Sequence, residues 1–84
     1  MGTKKDPGEF DCYEAARDDE PMFVLLARDP EAANLVETWA VAREMRLGAK
    51  MTEADRRKVA DARKCAKAMR RWHEKNRRMK EGKT

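Results

Sequence analysis

Arg56, Arg63, Arg70 and Arg77 recur every seven residues, and Arg57, Lys64, Arg71 and Arg78 form a second column one residue further on. Lys67 and Lys75 fall in the same sector, so at about 100° per residue these ten cations cover roughly 160° of one helical circumference. The chemistry open to such a face is recognition of anions. Guanidinium groups present forked donors that match phosphate and carboxylate, and a row of cations neutralises a polyanion while releasing its counterions. Surface helices ordinarily mix signs through acid–base pairs one turn apart. Here only Glu74 interrupts the cations. Two readings stand side by side: an anionic partner, or a solvated face neutralised within the molecule, with the acidic run Asp18-Asp19-Glu20 as the expected contributor.

Bond-making chemistry finds little support. The chain has no serine, which removes serine nucleophiles, and no glycine-rich loop of the kind that cradles phosphate. Cys12 and Cys65 are the only cysteines and lie outside any C-x-x-C spacing, so they are expected as buried free thiols. His73, the only histidine, stands eight residues after Cys65, about 12 Å along a helix, too far to share a metal with it. A Cys12–His73 pair would lack a third, orienting group. Asp18 and Asp19 sit in an exposed acidic run that suits a helix cap better than an acid–base dyad. The sequence therefore reads as a binding protein, with no enzyme activity, metal or cofactor expected.

The elements that must carry the cations follow from the apolar pattern. With 84 residues there is room for one domain with a small core, and a chain so short buries only about 60% of the surface its unfolded form exposes. Residues 1–40 hold ten acids and four bases, and residues 41–84 hold sixteen bases and six acids, so the net charge of +4 hides a strongly basic C-terminal half. Thr52-Glu53-Ala54-Asp55 resembles a capping box with Asp replacing the usual Glu or Gln, and a helix from about Glu53 to Met79 follows. Its apolar arc gathers Ala54, Ala62, Cys65, Ala66, Ala68, Met69 and Trp72, with Val59 at the edge, small enough for close approach of a neighbour. Trp72 is expected in the core rather than as a stacking platform.

Asp29-Pro30 signals the start of a preceding helix, about Pro30 to Leu47, stopped by Gly48. Ala32, Leu35, Val36, Trp39, Ala42 and Leu47 fall on its expected core side, with Asn34, Glu37 and Glu44 opposite. Val41 and Met45 either receive the N-terminal helices or form an exposed apolar spot. The short loop Gly48 to Met51 folds the two helices into an antiparallel hairpin. Phe10, Tyr13 and Ala16 suggest a short first helix, and Pro21 opens a second over Met22 to Ala27, expected as the plug of the core. The expected fold is all-α: a helical hairpin (about 30–47 and 53–79) with one or two short N-terminal helices packed on it. Residues 1–9 read as a flexible lead-in, 10–80 as a single helical domain and 81–84 as a flexible tail. No apolar run approaches the roughly 20 residues of a membrane span; a cytoplasmic protein is expected.

The stretch DDEPMFVLLARDPEAANLVETWA, residues 18–40, resembles a small orphan protein type of proteobacterial phages and prophages, in which an EPMFVLLARDP-like block precedes a helix bearing a Trp. That type carries no established activity or functional residues. The resemblance implies a phage-type setting, with the host cytoplasm as location, where small helical proteins of lopsided charge act on host machinery as anti-CRISPR and related defence inhibitors do. The expectation is an interaction protein that inhibits a host nucleoprotein complex through the basic face. The alternatives are an accessory protein binding double-stranded DNA or RNA without sequence specificity, and an oligomeric hairpin that sequesters anionic nucleotides.

Overall fold

A computed structural model of the chain describes residues 1–83, with side chains as far as Asn76. Three α-helices follow one another: α1 (Cys12–Ala15), α2 (Ala32–Leu47) and α3 (Glu53–Lys83), with a 3-10 turn, Gly48–Lys50, between the last two. No strand occurs among the described residues. The fold is the expected helical hairpin, α2 packed on α3, with one short N-terminal helix before it.

Each hairpin boundary has a local cause. Gly48 adopts φ 50°, a left-handed conformation that side-chain-bearing residues rarely hold, and its N–H donates to the Glu44 carbonyl, closing α2. Thr52 and Asp55 form the capping box reciprocally. The Asp55 N–H donates to Thr52 Oγ1 at 3.1 Å, and the Thr52 N–H and hydroxyl both donate to Asp55 Oδ2 at 2.9 Å. At the start of α2, Asp29 caps a turn rather than the helix itself. Its Oδ1 accepts from the Glu31 N–H at 2.9 Å, so Pro30 belongs to a turn and the helix begins at Ala32. α3 runs on to Lys83 rather than ending near Met79. The flexible tail expected at 81–84 falls on residues whose side chains lie outside the described ones.

The core is built of small residues. Ala40 of α2 meets Val59 and Ala62 of α3, ringed by partly buried Met1, Val36, Trp39 and Met51, and Ala32, Ala33 and Ala66 are buried beside them. No large side chain is fully buried among the described residues. Val59, expected at the edge of the apolar arc, is at its centre. Ala54, Ala68 and Trp72, expected inside the arc, are exposed.

One expectation about the N-terminal part fails. Met22 to Ala27 is not a helix and does not plug the core: residues 21–26 are irregular, and Phe23 is 84% exposed. Only four residues separate Pro21 from the turn in which the Asp29 N–H donates to the Leu26 carbonyl, too few to offset the cost of helix nucleation without a surface to pack on. Of residues 1–9, read as a flexible lead-in, Met1 and Glu9 reach α3. Met1 packs on the core cluster, its amine lies 3.4 Å from Asp61 Oδ2 and donates to the Phe10 carbonyl, and Glu9 lies 3.4 Å from Arg57. The Lys58 ammonium stands 6.0 Å from the Phe10 ring and 5.9 Å from the Trp39 ring, joining this segment to the hairpin.

Candidate functional site

α3 separates the ten cations by function. Arg63 and Arg70 turn toward α2: Arg63 donates to Glu44, and Arg70 donates to Glu37 and, at 2.8 Å, to Asn34 Oδ1. Two acids seven residues apart on α2 thus meet two arginines seven residues apart on α3 in reverse order, the register of an antiparallel pair. The Arg70 hydrogen bond holds the Glu37 carboxyl below its ordinary value, and the Glu44 and Glu37 partners raise Arg63 and Arg70 in turn. Arg57 faces Glu9, and Arg56 lies 3.9 Å from Glu53 within its own helix. The side chains of Arg77 and Arg78 lie outside the described residues.

Four cations remain. Lys64, Lys67, Arg71 and Lys75 are exposed, and none forms an ion pair with another described residue. By helical bookkeeping they fall within an arc of about 80° and span about 16 Å of axis, on the side of α3 away from Ala62. The strip is narrower than the face read from the sequence. Its neighbour Trp72 is 48% exposed, not core, and stands on the flank of Arg71 and Lys75.

The partners that neutralise Arg63 and Arg70 were expected on the solvent side of α2, with Leu35 and Ala42 in the core. The opposite holds: Asn34, Glu37 and Glu44 reach α3, and Leu35 and Ala42 are exposed. α2 is thus rotated from the orientation its apolar pattern suggests, with Ala40 packed in the cluster of Val59 and Ala62 and its two acids against Arg63 and Arg70. The signal was present in the matched seven-residue spacings of Glu37/Glu44 and Arg63/Arg70. The acidic run plays no such part. Asp18 and Asp19 are exposed, and Glu20 accepts from the Arg17 N–H at 3.0 Å within its own loop.

The residues considered for other chemistry stay apart. Cys12 is exposed, not buried, and lines a cleft with Phe10, Asp11 and Lys58; His73 lines another with Ala33, Asn34 and Met69. Cys65 is partly buried, and desolvation raises its thiol above the ordinary value. Among the described residues, no three of His, Cys, Asp and Glu gather in a way that could hold a metal ion, and no helix is long and apolar enough to cross a membrane.

Comparison with protein-family models, curated proteins and solved structures finds no match.

Proposed function

We propose that this chain is a non-enzymatic interaction protein that binds a polyanion through Lys64, Lys67, Arg71 and Lys75. In the phage-type setting implied by residues 18–40, that polyanion belongs to a host nucleoprotein complex, which the protein inhibits by occupying its nucleic-acid-bearing surface. The observation that carries the reading is the contrast within one helix: two arginines satisfied by α2, and beside them four exposed cations on one line without an acid opposite. Duplex DNA presents about one charge per 1.7 Å of axis, so a strip of about 16 Å faces enough phosphates for all four. Exposed Trp72 favours nucleic acid over an acidic protein surface, because an indole beside a cationic groove stacks on bases in a way indifferent to sequence.

The test is a fluorescence-anisotropy titration of labelled duplex and single-stranded DNA across a salt series. Affinity is expected to fall with a log–log slope of about −3 to −4 for four phosphates on duplex. Lys67→Glu with Arg71→Glu should abolish binding with the helical circular dichroism unchanged. Absence of binding at low salt would overturn the nucleic-acid reading and leave the strip to an acidic protein surface.

A further inference from the structure

The outward side of α2 carries Leu35, Thr38, Val41, Ala42 and Met45, all exposed, with Leu35 at 49%, Val41 at 44% and Met45 at 80%. No charged residue interrupts this face between Leu35 and Met45. Residues 35, 38, 42 and 45 repeat at intervals of three, four and three, the seam that packs a helix against another helix. We propose that this face pairs with the same face of a second copy, giving a two-fold symmetric dimer joined α2 to α2.

Three observations choose a second copy over another occupant. The face is uncharged between Leu35 and Met45 and ends in exposed Glu31 and exposed Arg46, so the reversed face of a second copy sets each acid toward the other copy's arginine, in the isologous contact that a two-fold axis creates. Among the described residues no large side chain is fully buried, a deficit that every copy shares and that mutual burial would correct. Its size points the same way. A monomer of 9.7 kDa exposes about 5,100 Å² by the usual scaling, and this chain exposes 7288 Å². The radius of gyration, 14.6 Å, likewise exceeds the about 12 Å expected for a compact chain of 84 residues.

Thr38 sits near the middle of the seam, so the symmetry axis brings it close to its own copy. Light scattering of the intact chain at about 50 μM should give twice 9.7 kDa. Thr38→Glu and Thr38→Lys should each lose the dimer through like-charge repulsion, and mixing the two variants should restore the doubled mass. The mixing result holds whether the separated variants stay folded or not. A monomeric wild type would overturn the proposal and leave the face to another protein. A dimer that survives either substitution, or a mixture that fails to restore it, would overturn it as well. Lys67→Glu with Arg71→Glu should leave the mass doubled, so failure of the polyanion reading and failure of this one are separately visible.

Discussion

Arg70 and Arg71 adjoin in sequence, yet a step of about 100° sends one to Glu37 and Asn34 on α2 and leaves the other facing solvent. Side-chain type says little about which role a cation takes; the neighbour opposite decides. Glu37 makes the consequence measurable. Its carboxyl titrates below the ordinary value of 4.5 because Arg70 hydrogen-bonds the charged form, so folding favours the carboxylate. That contribution is present in full above the unfolded value and is lost as pH falls through the lower, folded one. Thermal midpoints measured from about pH 5 down to about pH 3 should therefore decline, and Glu37→Gln should decline less steeply. At this scale the sequence was half legible. All ten cations were identifiable, but the split among them depends on Glu37 and Glu44 crossing to α3, which the apolar pattern of α2 conceals.

The start of α3 and the stop of α2 were legible because their causes are local: a hydroxyl and a carboxylate three residues apart, and one glycine with φ 50°. Thr52→Ala removes both the hydroxyl acceptor for the Asp55 N–H and the donor to Asp55 Oδ2. The expected loss is about 1 kcal/mol in chemical denaturation, with Thr52→Ser largely restoring it. The apolar run Met22–Leu26 misled for the opposite reason. Apolar composition announces burial only where an apolar surface is free to receive it, and the flank of α3 around Arg57, Lys58 and Asp61 is already met by Met1, Glu9 and Phe10. Nothing in the local sequence of either segment states that competition.

For the whole molecule, the antiparallel hairpin follows from two helix signals and a short loop, and alanine lets the helices approach. Ala40 and Ala62 have no exposed surface, so Ala62→Leu should push α2 and α3 apart at a cost of about 1–3 kcal/mol, read as a lower urea midpoint. The same geometry puts the outward face of α2 and the cationic strip of α3 on opposite sides of the hairpin. A pair of chains joined along α2 therefore carries two strips that point away from each other. Such a particle cannot clasp one duplex from both sides. On the polyanion binding proposed above it would act as a bridge: each strip would take a separate duplex or a distant segment of the same one, and the second engagement would be strengthened by effective concentration rather than by any new contact. Long DNA at low protein ratio should then be drawn into looped or cross-linked complexes, whereas fragments too short to reach both strips should bind independently at each.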